Sequence, residues 1–249
     1  MNAERYTPGH SQDASRFMAM RSFESHGMFF EPYLAPGLDV LDCGCGPGSI
    51  SIGMAQRVAP GSVIGVDAAA SQVNLATETA RGAGMHNIRF EVADCYSLPF
   101  GDAAFDRGFS HALIEHLARP LEVIRECHRV LNPGGIIGLC CPDWGGFILS
   151  PSDQEIEAAI AAYQAMQIRN GGDVYAGRKL APYVEEAGFH LQETRARYEC
   201  YPSIVSITSY LAFQLEQDGQ SDHAGALRRW GEGRGRLFAQ TWISAVGIK

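Results

Sequence analysis

The segment VLDCGCGPGSI, Val40–Ile50, restricts the fold of this chain more than any other. A short apolar run, LDVLDC, stops at Gly44, Gly46 and Gly48, and the helix-like SISIGMAQRV follows at once, with Ile50, Met54 and Val58 on one face. Glycines between a strand and a helix let the backbone turn sharply and approach a ligand, and they aim the helix N-terminus at it. The same alternation continues downstream. SVIGVD reads as a second strand, SQVNLATETARGAG as a helix with Ser71 as N-cap, IRFEVAD as a third strand and FDRGFS as a fourth. RPLEVIRECHRVL is a helix with Pro120 in its first turn and Leu121, Ile124, Cys127 or His128, and Leu131 along one side; NPGG is a turn and IIGLCC a fifth strand. Strands and helices joined this closely predict a parallel sheet with helices on both faces.

The pattern changes after Pro142. SDQEIEAAIAAYQAMQIRN and GRKLAPYVEEAGF read as helices, HLQETRARYECY as a strand, residues 203–236 as mostly helical and RLFAQTWISAVGIK as a last strand. The first 35 residues are expected to be helical in part, with Pro32 and Pro36 breaking the approach to the first strand. The 249 residues, 46% of them hydrophobic, suffice for one large domain. A net charge of −8 with no block of Lys and Arg disfavours nucleic acid as a partner. Seven cysteines, an odd number set in apolar runs, fit a reducing cytoplasm rather than a disulfide framework. The polar start lacks the apolar core of a signal peptide, and no apolar run is long enough to span a bilayer, so a cytoplasmic location is expected.

The chemistry of the loop follows from what it lacks. There is no Gly-Lys-Ser/Thr ending, and the spacing differs from the dinucleotide fingerprint Gly-x-Gly-x-x-Gly. Asp42 sits two residues before Gly44, where a carboxylate repels a pyrophosphate and suits an ammonium group. Asp67 ends the second strand, nineteen residues beyond Gly48, a place from which an acidic side chain takes both hydroxyls of a ribose. Asp94 ends the third strand and can accept from an adenine amino group. The implied ligand has an amino-acid-like cation, a ribose diol and an adenine but no phosphate, and S-adenosyl-L-methionine has those parts.

With VLDCGCGPGSI, VIGVDAAASQV, FEVADCYSLPF, FDRGFSHALIEHL and RVLNPGGIIGL in this order, the chain from Leu38 to Leu139 resembles the class I S-adenosylmethionine-dependent methyltransferases. It is similar to the subgroup that includes the ubiquinone and menaquinone biosynthesis methyltransferases (methyltransferase type 11-like). The resemblance implies a Rossmann-like, doubly wound α/β fold. Its seven-stranded sheet would be mostly parallel with an antiparallel last strand, and a helical cap would cover the substrate site. Residues 189–201 and 237–249 are the candidates for an antiparallel hairpin after the fifth strand. It implies an N-terminal helical lid over 1–37 and a methyltransferase domain over 38–249, in which 151–170 and 203–236 are helical insertions forming an acceptor chamber. Asp42, Gly44 and Gly46 would line the methionine end, Asp67 would hold the ribose, Ala68 and Gln72 would flank the adenine, and Asp94 and the Cys95 N–H would bind it. Ser110 and His111, at the end of the fourth strand, would border the methionine and the transferable methyl group, with S-adenosyl-L-homocysteine as product. The expected reaction is in-line methyl transfer to an O, N or C atom of a small, partly apolar molecule, by a monomer or homodimer that needs no metal.

Several residues carry a plainer alternative. Cys43 and Cys45, one residue apart, lack the usual zinc or redox spacing and read as packing. His111, Glu115 and His116 match neither zinc helix signature. They are the candidate catalytic bases, or they order the loop before the next helix. Tyr6, His10, Arg21 and His26 belong to the lid or to a solvated helix. Trp144 and Phe147, flanking Gly145-Gly146, read as an apolar wall on a mobile loop or as core packing, and the basic RRWGEGRGR holds an anionic group or is a solvated helix end. Two rival functions stay open: an S-adenosylmethionine-binding homologue without catalysis, and an NAD-dependent oxidoreductase, the latter opposed by Asp42 and the glycine spacing.

Overall fold

Strand β1 (Val40–Cys43) is buried along its whole length, and its alternate residues feed two different cores. Leu41 and Cys43 face one, Val40 the other. The computed structural model describes residues 5–249 apart from His10 and Pro202; the expectation for His10 therefore lies outside the described residues. β1 pairs in parallel with β2 (Val63–Asp67) and β4 (Phe105–His111), β2 with β3 (Ile88–Val92), and β4 with β5 (Leu131–Ser150). β7 (Leu237–Ile248) lies antiparallel between β5 and β6 (His190–Cys200). The sheet order is β3-β2-β1-β4-β5-β7-β6, the expected seven-stranded sheet with an antiparallel last strand. β6 and β7 do pair, but two helices separate them in sequence, so they form no tight hairpin.

Helix α1 (Gln12–Ala19), a π-helical turn (Phe23–Gly27) and a 3-10 turn (Met28–Tyr33) precede the sheet. Ser11 caps α1 by accepting from the Ala14 N–H at 3.2 Å. Phe23 and Phe30 are fully buried with Met54 and Val58 of helix α2 (Ser49–Val58), closing one face of the sheet. Helices α4 (Pro120–Val130) and α6 (Ala176–Glu186) close the other. α4 has Pro120 at its first position and buries Val123, Ile124, Cys127 and Val130, so Cys127 and not His128 faces the core. Burying each such aliphatic side chain stabilises the fold by roughly 1.5–3 kcal/mol. Helix α3 (Ala70–Gly82) begins after Ala69 with no side-chain cap; Ser71 lies inside the helix and is not its N-cap.

β5 departs most from expectation. Instead of ending at Cys141 it continues to Ser150, because β7 offers an antiparallel partner along most of its course. Residues 132–135, the NPGG turn, loop out between the pairs Leu131↔Phe105 and Ile136↔Arg107. Residues 144–147 loop out between Asp143↔Thr241 and Ile148↔Ala239. This second stretch is not a free loop. The Thr241 hydroxyl donates to the Gly146 carbonyl at 2.6 Å. A side chain at Gly145 or Gly146 would meet Arg178 or Thr241 at 2.1 and 2.6 Å. Trp144, only 7% exposed, is thereby directed into a third core with helices α5 (Gln154–Arg169), α7 (Ile204–Gln217) and α8 (Ser221–Gly231). Asp153 and Ser203 cap α5 and α7 by accepting from Ile156 N–H and Ser206 N–H. Among the described residues no helix is long and apolar enough to cross a membrane.

Candidate active site

The parallel strands β1, β2 and β4 end on the same edge of the sheet, and the loops that leave them line one cavity with an empty volume of about 1170 Å³, part of it open to solvent. The loop after β1 carries positive φ at Gly46 (51°) and Gly48 (77°). A Cβ at Gly46 would meet nothing within 4 Å, so the backbone there borders open space a ligand can fill. A Cβ at Gly48 would lie 2.7 Å from Phe90 and 2.8 Å from Ala76, so that residue lets α2 pack on its neighbours. The Gly46 N–H donates to Asp67 Oδ2 at 3.0 Å and the Ala69 N–H to Oδ1 at 2.9 Å. Both oxygens keep lone pairs toward the cavity, which suits two hydroxyl donors.

Asp42 is 3% exposed and lines the same cavity. Ser51 donates to its Oδ2 at 2.5 Å, but burial pushes the carboxyl up to about 7. A cation beside it would restore the charged form. Gln72 donates its amide to Ser15 Oγ at 2.8 Å, joining α3 to α1, while its buried Oε1 has no partner. Asp94 lies two residues beyond the end of β3, exposed at the cavity rim, and accepts from the Tyr96 N–H at 2.9 Å. Ala68 and Cys95 border the cavity beside them. Ser110 does not enter it: its hydroxyl donates to the Cys43 carbonyl at 2.8 Å and ties β4 to β1. The alternation along β4 turns His111 to the cavity instead. The Cys43 and Cys45 thiols are free and buried. The arrangement fits S-adenosylmethionine: a glycine with open space, an anchored diol acceptor, a buried carboxylate and an orphaned buried amide oxygen share one crevice.

A second cavity, about 540 Å³ of empty space, lies under α5 and α7. Trp144, Tyr163, Tyr201, Tyr210 and Trp242 form its walls, and Tyr6, Met18, Arg21, Ala112 and His116 border both cavities. Ala112 turns the chain there with φ 57°, a left-handed conformation that costs a non-glycine residue about 1–2 kcal/mol. His111 stacks on Trp242 at 4.6 Å and takes the edge of His26 at 5.0 Å. Its buried Nε2 has no partner. Burial, with Arg21 and His26 adding to it, holds its basicity well below the usual histidine range, so the ring is neutral. Glu115 lines the second cavity, 2% exposed with Oε2 unpaired, and burial pushes it up to about 7. His116 Nε2 lies 3.6 Å from Glu115 Oε1, and burial lowers that ring to about 3. Tyr6 meets the His116 ring edge-on at 4.9 Å.

The structure thus brings His111, Glu115 and His116 together where the two cavities join. The aromatic walls come from β5, the link after β6, α5, α7 and β7; the sequence points to Trp144 as an apolar wall, whereas Tyr163, Tyr201 and Tyr210 carry no motif and alternation along β7 is the one signal for Trp242. In the basic 228–236 stretch, Arg228 and Arg229 pair with Glu216 and Glu155, and Arg236 lies over Trp230, so it belongs to the surface of α8 rather than to either cavity.

Residues 40–135 match the family described as methyltransferase domain. The chain is 29% identical over 69% of its length, and 63% of the relative's, to an uncharacterised methyltransferase of Schizosaccharomyces pombe. It is 36% identical over 50% of its length, and 44% of the relative's, to the 27-O-demethylrifamycin SV methyltransferase of Amycolatopsis mediterranei. The chain spans between 44% and 63% of the length of such curated relatives. A SAM-dependent methyltransferase from Aquifex aeolicus shares the fold with a TM-score of 0.60 at 15% identity, covering 98% of this chain and 99% of the other.

Proposed function

From a chain that has the fold and donor-site sequence of the class I S-adenosylmethionine-dependent methyltransferases, we propose that it transfers a methyl group to a small, partly apolar molecule. One observation carries the reading. A cavity with the donor's recognition groups lies against a separate aromatic chamber, and the two share the wall of Tyr6, Met18, Arg21, Ala112 and His116. Such a junction is the place for an in-line substitution between two held molecules. The rifamycin relative, whose name records a small-molecule acceptor, agrees with an acceptor of this kind.

Bound S-adenosylmethionine supplies an electrophilic methyl on a sulfonium centre, so the protein has little bond-making of its own to do. Asp67 orients the donor through its ribose, and Asp42 faces its ammonium end beside Gly44 and Gly46. Gln72, Ala68, Asp94 and Cys95 enclose the base. Ser110 acts from behind, fixing β4 against β1. The aromatic chamber excludes water and holds the acceptor against the shared wall. Two groups can take the acceptor's proton. His111 has the position, bordering the donor cavity with a neutral ring and an unpaired Nε2. Glu115 has the better-matched basicity, near neutral pH. Within residues 1–37 the described residues before Ser22 serve as the lid, while Phe23 and Phe30 belong to the core: Tyr6 and Met18 border the donor cavity, Ser15 holds Gln72, and Gln214 donates to the Pro8 carbonyl at 3.0 Å. A truncated chain starting at Ser22, which keeps the buried Phe23 and Phe30, is expected to bind donor weakly; undiminished affinity would remove the lid.

Calorimetry with S-adenosylhomocysteine and with NAD tests the donor assignment, and binding of NAD alone overturns it. Formation of S-adenosylhomocysteine from S-adenosylmethionine in the presence of a metabolite extract tests turnover. Donor binding with no product from any extract would favour the non-catalytic homologue.

A further inference from the structure

We infer that the acceptor carries a carboxylate on a flat apolar body and that Arg21 binds that carboxylate. The inference rests on the methyl-transfer reading and narrows its acceptor. Arg21 borders both cavities, half-buried, and its guanidinium has no hydrogen bond or ion pair among the described residues. The other half-buried arginines near the sheet are all engaged. Arg57 pairs with Glu31 at 2.8 Å, Arg107 donates to the Tyr33 carbonyl at 2.6 Å and Arg129 pairs with Glu126 at 2.7 Å. Arg236 also lacks an ion pair, but it lies over Trp230, away from both cavities.

The position of the guanidinium decides which cavity it serves. Its carbon lies 5.2 Å from the Trp242 ring centre and 6.0 Å from that of Phe17. Both rings border the aromatic chamber and neither borders the donor cavity. The rings hold the planar cation in place and leave its N–H fork without an acceptor, an arrangement matched by a carboxylate that brings two. Glu115, in the same chamber, and Glu199, held by His26 at 3.2 Å, act on it only through space and form no ion pair with it, and burial holds the basicity of His111 and His116 below the usual histidine range. An anion entering this chamber therefore meets one cation that no carboxylate contacts. The aromatic walls favour a flat, apolar remainder.

The test uses the full chain saturated with S-adenosylhomocysteine, titrated calorimetrically with benzoate and 2-naphthoate and with the neutral benzamide and 2-naphthamide. The acids are expected to bind with Kd on the order of 1 mM or tighter and to be preferred over the amides by about tenfold or more. Arg21→Gln is expected to abolish the preference and Arg21→Lys to keep part of it. Acids and amides binding alike, or no acid binding, would overturn the inference. It would also fall if Arg21→Gln weakened S-adenosylhomocysteine about tenfold but spared 5′-methylthioadenosine, which lacks the amino-acid end. The arginine would then belong to the donor's own carboxylate. If Arg21→Gln fails to fold, the wild-type acid and amide titrations decide alone. A wild-type chain that does not bind S-adenosylhomocysteine overturns the methyl-transfer reading beneath; one that binds it without preferring acids overturns only this inference.

Discussion

The donor cavity and the aromatic chamber are built by different means. The first is mostly backbone and short side chains at strand ends: the Gly46 and Ala69 N–H groups fix Asp67, and Gly48 allows the packing behind it. The second is made of large side chains on helices that pack on one another, α5 on α7 and α8, and on Trp144 and Phe238. Main-chain geometry tolerates little substitution, whereas a wall of side chains can be changed residue by residue. The halves should therefore respond differently to mutation.

The sharpest challenge is Gly48→Ala. Strain at φ 77° of about 1–2 kcal/mol adds to overpacking against Phe90 and Ala76 of about 1–3 kcal/mol. Denaturant unfolding should show the combined loss and calorimetry a collapse of donor affinity; a fully stable variant would mean that the loop is not rigid. Glu115→Gln probes the chamber through pH. Its carboxyl, near 7 when folded against an ordinary 4.5, holds a proton that the unfolded chain has released. The wild type therefore loses stability relative to the variant as pH rises from about 4.5 to about 7, by about 3 kcal/mol in all, and the gap stays level above that. A gap independent of pH would show that Glu115 is not held in a dry site.

Asp67→Asn should weaken S-adenosylhomocysteine about 10- to 100-fold with little change in unfolding, since the amide turns a donor toward the Gly46 N–H and loses acceptors for the ribose. Equal affinity would place the donor elsewhere. The smallest effect is Ser203→Ala, which removes the cap of α7 for about 1 kcal/mol of stability. Donor affinity should not move; a parallel drop would show that the halves are not independent.

The same contrast explains what could be read from the chain. Strands β1 to β3 and α2 were legible because each apolar run stops at glycine or Asp and the helix repeats its apolar face. Asp42, Asp67 and Asp94 were legible as cavity residues because parallel strands end together. Ser110 misled because its role was carried over from the resemblance by position alone, and only the structure shows its hydroxyl donating to the Cys43 carbonyl. Ser71 looked like a cap, but α3 starts one residue earlier. The extent of β5 was hidden because glycines mark turns in a sequence, whereas Gly145 and Gly146 serve here for close approach to Arg178 and Thr241. Arg21 was visible only as one polar residue of an N-terminal segment, since its meaning depends on which carboxylates come near it in three dimensions.

The loop-out of residues 144–147 gives one strand two duties. Upstream, Cys140 of β5 pairs with His111 at the donor cavity; downstream, Trp144 becomes part of the chamber wall. The floor of the chamber is thus part of the sheet that carries the donor machinery, while its ceiling on α5 and α7 packs over that sheet through side chains, with main-chain links only where the helices leave β5 and β6. Over evolutionary time a lineage could exchange one acceptor for another by altering the ceiling, and the ancestry of the donor site would still be recorded in the floor.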